Sequence, residues 1–496
     1  MGMKMNNTRK IVYIVSLAVL LMSGCSFSKG NSVNNSDITA SRKSDNALDD
    51  GVQSANEAKL SSDIALPTKD DSKIVLVTTE DKANISDEVI EKVNDKLKEH
   101  GINKELVIYG YNFEEYSDVI STLYAGEYQV DIVFTGFGDE NNESGTYKAF
   151  IDNEMLVPIN DYLKNDYGKS LSEIYSRAYF DSVTVDGNIY GLSSKDITGY
   201  GISAVFNKNI CEKYGIDPDD FNGDWNWLAQ QCEKVSDEDI DLIDFQIDCN
   251  GMKQLAGFEY DPEFFSVGMG VKEGSSDNKA VNIYSESTQF LQNMKALHDS
   301  GYIVSEPTGN DYFVKFVNTD CNALGIMQGD NYTNDGSEEY EITMCEPYAY
   351  KILNAVSGVS SKSNNPEEAF DILALINSDP EIADLIEYGI EGIDYNLDNG
   401  RAEIEDGIPS IFILTNKMIT LPSGEEPDNK FEIYKEYNDN INIPSTITYR
   451  IDVDGLGELK QAELKCQNLW YGEDVDKNIL EQLKTKIDNT LSKLEL

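Results

Sequence analysis

From Lys73 onward the chain alternates between short apolar runs and apolar residues at helical spacing. "KIVLVTT" (73–79) is a continuous β-type run. After Ser86, Val89, Val93 and Leu97 recur at helical intervals until Gly101 stops them. "ELVIYGY" (105–111) predicts a second strand, 116–124 a second helix, and "VDIVF" (130–134) a third strand ending in the polar turn "TGFGDENNESG". Strands this apolar suit burial on both faces, so a mostly parallel sheet flanked by helices is predicted. Ligands of such sheets bind beyond the carboxyl ends of the strands, which nominates Thr135, Phe137 and Asp139; a solvated loop is the plain alternative.

After "VDGNIYGLSSKD" (185–196) the texture changes, and a second domain is predicted. Phe206, Ile210 and Tyr214 predict a short amphipathic helix closed by Gly215, and an acidic aromatic loop leads into a helix carrying Trp225 and Trp227. "NALGIMQGD" (322–330) and "NAVSGVSS" (354–361) predict strands able to carry the chain between lobes. Asn365-Pro366-Glu367-Glu368 combines an N-cap, a first-turn proline and early acids, and Asp379-Pro380-Glu381 repeats the device, so two helices follow in succession. In "YGIEGIDYNLDNG" (388–400), Gly389 is placed to end the second helix and Asp398-Asn399-Gly400 to form a turn.

The N-terminus has another character. Lys4, Arg9 and Lys10 precede the apolar run 11–22, then Ser23, Gly24 and Cys25. Twelve apolar residues are too few to span a bilayer, and a basic start, an apolar middle and small residues describe a cleavable export signal over 1–24. From Ser26 to about Ser72 the chain is rich in Ser, Asn, Asp and Lys with few aromatics, which predicts a flexible tether over 25–72 with an end-to-end distance of roughly 35–40 Å.

Composition narrows the partners. The 496 residues carry a formal charge of −49, and loss of 1–24 removes three cations and no acids, leaving −52. Phosphate is repelled by such a surface, so nucleic acid is excluded as a partner and anionic lipid surfaces are disfavoured. Six cysteines remain after Cys25; none forms a CxxC or Cys/His cluster, so no metal is assigned, and the sequence leaves disulfides and buried thiols equally open. "DPDDFNGD" (217–224) fails the EF-hand pattern because Pro218 would occupy the first ligand position. His100 and His298 lie near no nucleophile motif, and no cofactor is called for.

Together, "IYGL", "AVFNKNICEKYGID", the Trp-bearing helix start and "SSKSNNPEEAFDILALINSDPEIADLIEYGIEGIDY" resemble the extracellular solute-binding lipoproteins of bacterial sugar ABC importers. The likeness is greatest to a Gram-positive subgroup in which "DIVFT" and the YGIEG motif recur before a helical C-terminal part, and it spans most of 73–496. It implies a two-lobed α/β fold of the periplasmic-binding-protein type II, with lobe I over 73–195 and 320–355 and lobe II over 196–319 and 356–496, joined by hinge crossovers. It implies a carbohydrate ligand, permease subunits as partners, a monomeric receptor on the outer face of the membrane, and Cys25 as the lipid-bearing residue of a lipobox. Sugar sites stack aromatic rings on C–H faces and ring them with hydroxyl partners. Candidate contacts at the expected crossovers are Asp196, Tyr200, Asp330, Tyr332, Glu346 and Tyr348, with one of Trp225 and Trp227 reaching the cleft and the other in the core. Gly136-Phe137-Gly138 replaces the family's Ser-x-Trp, which leaves the solute open. A surface glycoside hydrolase would also use the many acids, but no eightfold strand–helix rhythm is present; a receptor for a peptide or metabolite would differ only in its ligand.

If Cys25 carries the anchor, Cys25→Ala transfers the protein to the medium. Fractionation of cells after a mild salt wash measures this, and quantitative retention on the membrane refutes lipidation.

Overall fold

The computed structural model describes residues 64–79, 85–136, 146–194, 199–304, 312–318, 339–352, 355–404, 414–424, 426–447 and 455–494. The signal segment and Cys25 lie outside them. β1 (Lys73–Thr78) has five buried residues in six and pairs in parallel with β2 (Glu105–Gly110) on one side and β3 (Ile132–Phe134) on the other. Between β1 and β2 the chain forms α1 (Asp87–Glu99), whose Ser86 hydroxyl accepts from the Val89 amide and whose Val89, Val93 and Leu97 face the sheet. Asn94, buried on the same helix, hydrogen-bonds both ways with the backbone of Leu106, so α1 satisfies part of the edge strand.

The sheet is completed out of sequence order. β4 (Gly191–Ser193) lies at its far edge, and the strand between β4 and β3 comes from a later part of the chain. A second sheet is built by β5 (Gly199–Asn207), β6 (Asp241–Phe245), β7 (Tyr312–Asn318) and β8 (Glu339–Ala349), in the order β8-β5-β7-β6. The chain then returns as β9 (Val356–Val359), antiparallel to both β3 and β4, giving the first sheet the order β2-β1-β3-β9-β4. The expected parallel sheet is thus interrupted by one reversed strand.

Two cores follow from these sheets, so the fold is two-lobed α/β with a helical C-terminal part. The lobe boundaries differ from those expected. The helices Pro366–Ser378 and Pro380–Tyr388 pack into the first core, whereas β8 and the C-terminal helices Leu456–Leu464 and Lys477–Leu491 pack into the second. Pairing of β9 with β3 draws 356–388 into the first lobe, and pairing of β8 with β5 places 339–349 in the second. The tether is shorter than predicted: Ile64 and Leu66 pack against the first core, and Tyr111 Oη donates to the carbonyl of Ala65.

Local signals fared well where they were backbone-encoded. Gly215 closes Lys208–Tyr214 at φ 58°, while Phe206 belongs to β5 rather than to that helix. Asp379 accepts from the amides of Glu381 and Ile382, but Asn365 makes no side-chain cap. Gly389, at φ 85°, ends its helix against Asp394, whose carboxylate would lie 2.4 Å from any Cβ there. The five described cysteines are buried and joined by no disulfide; burial pushes the Cys232 and Cys345 thiols up to about 12.

The second core encloses an ion pair. Lys253 Nζ lies 2.6 Å from Glu463 Oε1, both side chains 1% exposed; Lys253 also donates to the Phe265 carbonyl, and Tyr284 and Gln467 donate to Glu463. This network ties the C-terminal helices to the lobe. Removing one charge strands the other in a medium that cannot solvate it. Glu463→Leu is expected to cost about 3–5 kcal/mol in urea unfolding, and the pair Lys253→Met with Glu463→Leu to regain most of that loss.

Candidate functional site

Three chain segments pass between the lobes. The first joins Ser193 of β4 to Gly199 of β5, and the second joins Ala349 of β8 to Val356 of β9. The third leaves the helix Lys430–Asn440, which packs on Arg177–Ser182 of the first lobe, and runs through 441–447 toward the C-terminal helices. They converge on Gly199: a Cβ there would lie 2.6 Å from Ile441 Cδ1 and 3.3 Å from Pro347 Cβ. Ala349 N donates to Asn442 O at 2.7 Å, and Asn442 N donates to Pro347 O at 2.9 Å. Ala178, Ala349, Ile441 and Ile447 close a small apolar cluster around this junction.

Beside the junction the second lobe carries four tyrosines, Tyr260 and Tyr348 buried and Tyr200 and Tyr350 half-buried. Tyr200 and Tyr348 are register partners on β5 and β8, so they share one face of the sheet. Tyr200 stacks on Tyr260 with centroids 4.2 Å apart and planes 6° from parallel, and Tyr350 meets Tyr260 edge-on at 6.2 Å. Gly251 leaves space for the Tyr200 hydroxyl, which would sit 3.0 Å from a Cβ at that position. Gln254 donates to the carbonyls of Tyr200 (3.3 Å) and Glu346 (3.2 Å), holding β5 to β8 where the register of β8 shifts. Burial raises the Tyr260 and Tyr348 phenols well above their ordinary value, with Asp248 adding at Tyr260 and Glu273 and Glu259 at Tyr348. Neutral phenols both donate and accept, which suits hydroxyl-bearing ligands.

The structure sorts the residues nominated from sequence. Tyr200 and Tyr348 stand together at the junction, and Glu346 is exposed beside them. Thr135 does not face a cleft. It is fully buried, its amide donating to Val356 O at 2.8 Å and its hydroxyl accepting from Val356 N at 3.3 Å, because β9 covers the end of β3. Trp225 is 8% exposed and packs edge-on to Phe221 and Phe290, while Trp227 is half-buried over Phe221 and Phe206. Trp225 lies in the aromatic core of the second lobe, and Trp227 packs against that core. Asp217 and Asp224 of the acidic loop are helix caps. Phe137, Asp139, Asp196, Asp330 and Tyr332 lie outside the described residues. Tyr260, Tyr350 and Gln254 escaped sequence reading; their signal was faint, an aromatic beside the Asp261-Pro262 helix start and the alternation in "EPYAYK".

Three carboxylates near the junction, Glu259, Asp261 and Glu263, are already engaged. Glu259 accepts from Ser445, Asp261 from Thr446 and the amides of Glu263 and Phe264, and Glu263 pairs with Lys351 at 2.8 Å. Burial pushes Asp384 up to about 6, but it accepts from the Leu421 amide and lines an open cavity of about 450 Å³ against α1, in the first lobe. A cavity of about 670 Å³ between α1 and β2 is lined by charged and aliphatic side chains without an aromatic platform. Among the described residues no group of three His, Cys, Asp or Glu is placed to hold a metal ion.

No family model matches the chain. A carbohydrate ABC transporter substrate-binding protein of Streptococcus pneumoniae is 24% identical over 383 residues, 73% of this chain and 74% of that protein. Among solved structures, the N-glycan transport solute binding protein of Streptococcus pneumoniae superposes with a TM-score of 0.62 at 18% identity, covering 85% of this chain and 96% of that one. Its complex with Man1GlcNAc gives 0.52 at 17% identity, with the same coverage. An HMO-binding ABC-transporter-associated solute binding protein of Bifidobacterium longum infantis also gives 0.52, at 12% identity over 85% and 96% of the two chains. At these identities the likeness establishes the fold: this chain has the two-lobed architecture of those solute-binding proteins.

Because Trp225 fills the core, Trp225→Ala is expected to cost about 3–5 kcal/mol of stability, read by chemical denaturation. Wild-type stability in that variant would contradict the placement.

Proposed function

We propose that the chain is the solute receptor of an ABC importer, held at the outer face of the membrane by lipid on Cys25, which captures an uncharged oligosaccharide between its lobes and presents it to permease subunits. The observation that carries this reading is the stacked tyrosine wall, Tyr200 on Tyr260 with Tyr350 at its edge, set where three crossing segments join two lobes. Tyr260, 6% exposed, backs the wall, and the half-buried Tyr200 and Tyr350 are the rings left to meet sugar C–H groups and hydroxyls. The named relative and structural neighbours, described as carbohydrate, N-glycan and HMO receptors, support a glycan as the solute. A monomeric receptor is part of the same reading, as is a ligand that leaves chemically unchanged.

The charge distribution supports an uncharged ligand. Burying an anion requires a cation able to pair with it, and Lys351 at the second crossing is paired with Glu263. Glu259, Glu273 and Glu346 stand nearby. A net charge of this sign also repels anionic glycans on approach.

Isothermal titration with neutral Man1GlcNAc and neutral milk oligosaccharides, each beside a sialylated counterpart, tests both parts of the reading. The neutral members are expected to bind at least about tenfold tighter, and Tyr200→Ala to weaken them by at least ~1 kcal/mol with the fold intact. Preference for the sialylated members would refute the uncharged class, and binding of neither would count against the carbohydrate reading. Mass spectrometry of the recovered best binder should show it intact; new reducing ends that vanish on replacing one carboxylate would establish a hydrolase instead.

A further inference from the structure

The segment Glu259-Tyr260-Asp261-Pro262-Glu263 carries carboxylates at every second position, and each meets a different residue of a crossing segment. Glu259 Oε2 accepts from the Ser445 amide at 2.7 Å and from the Ser445 hydroxyl. Asp261, 6% exposed, splits its oxygens: Oδ1 caps the short helix through the amides of Glu263 and Phe264, and Oδ2 takes the Thr446 hydroxyl. Glu263 Oε2 holds Lys351 Nζ at 2.8 Å. Ser445 and Thr446 belong to the third crossing, and Lys351 to the second. The segment itself is fixed in the second lobe, where the Glu259 amide donates to Val271 O and Phe264 and Phe265 are buried in the core.

The neighbours of these contacts belong to the other lobe. Ile352, one residue beyond Lys351, is 1% exposed in the first core, and its amide donates to Ser182 O at 2.9 Å. The second crossing therefore changes lobes between Lys351 and Ile352. The third changes lobes between the helix Lys430–Asn440 and Ser445, through Asn442, which pairs with Pro347 and Ala349. A few residues at fixed places must absorb any rotation of one lobe on the other, and their position is set by where side chains stop gripping one body.

We propose that Glu259, Asp261 and Glu263 form a clamp that holds the second and third crossings on the second lobe, and that this clamp places the pivots of lobe closure at Lys351–Ile352 and at 441–445. Glu259 and Glu263 are positioning residues: they touch crossing backbone and side chains, and they act on ligand through the pivot. The tyrosine wall contains Tyr260 of the same segment, so the clamp fixes wall and pivots in one frame. The coupling to ligand rests on the receptor reading above; the position of the pivots does not.

Hydrogen–deuterium exchange on the full chain without ligand tests the clamp, using Glu259→Gln with Glu263→Gln; Asp261 is left intact because its loss would uncap a helix. The amides of Ala349, Asn442 and Ser445 are expected to exchange at least tenfold faster, while those of β1–β3 and β5–β7 keep wild-type rates. Wild-type rates at the crossings overturn the clamp, and so does equal acceleration through both sheets, which would make these carboxylates ordinary stabilising groups. In a second arm the probe is Man1GlcNAc: the double variant should bind at least threefold more weakly, and unchanged affinity with loosened crossings overturns the coupling to closure. Failure of wild-type protein to bind the probe counts against the glycan reading alone and leaves the exchange result standing as the test of the pivots.

Discussion

The antiparallel insertion of β9 between β3 and β4 is the contact on which the rest of the molecule depends. It pairs Gly358 with Gly191 and Val133, and the backbones approach so closely that a Cβ at 358 would lie 2.6 Å from Tyr190 O and one at 191 only 2.5 Å from Ser357 O. Two glycines in register thus let a late segment enter an early sheet. Once it has entered, the chain has left the first lobe, built a second and come back, so the junction at Gly199 acquires its second strand of connection. The buried Thr135 belongs to the same event, since the arriving Val356 takes both its amide and its hydroxyl. A residue that reads as a ligand contact by its place after a strand is used to close the sheet.

Charge is handled differently inside and outside. The chain carries a large acidic excess, which repels anions. Within the second lobe, every strongly buried charge described at the C-terminal attachment is matched: Lys253 with Glu463, and Glu463 in turn with Tyr284 and Gln467. Near the crossings Glu259, Asp261 and Glu263 hold Ser445, Thr446 and Lys351, while Glu346 is exposed. Carboxylates held in this way are poor general acids or bases, because protonation or attack would first have to break the bonds that hold two lobes in place.

Closure of two lobes on a ligand can be driven only by a difference in ligand affinity between the open and closed arrangements. The junction at Gly199, with Ile441 and Pro347 pressed against it, and the paired backbones of Ala349 and Asn442 tie the crossings to one another. Tyr200 follows Gly199 directly, so the stacked tyrosines stand on the same framework as the junction.

Much of the local structure was legible in the sequence. Val89, Val93 and Leu97 fall on the buried face of α1, Asp379 caps its helix and Gly215 and Gly389 end theirs, because spacing, capping and positive φ are decided within a few residues. The two-lobed α/β class followed from the same alternation together with the family resemblance, and the neighbours agree with it. Lobe boundaries and site residues were another matter. Whether 356–388 belongs to the first lobe depends on the pairing of β9 with β3, more than two hundred residues away in sequence. Trp225 had the right chemistry for a sugar and was drawn into the core with Trp227 packed half-buried against it, while Tyr260 reached Tyr200, and Tyr350 reached Tyr260, from separate segments. Periodicity and end signals act over one or two turns of chain, so the sequence determined which elements form and where they stop; which of them meet was decided only by long-range strand pairing and side-chain packing in the tertiary structure.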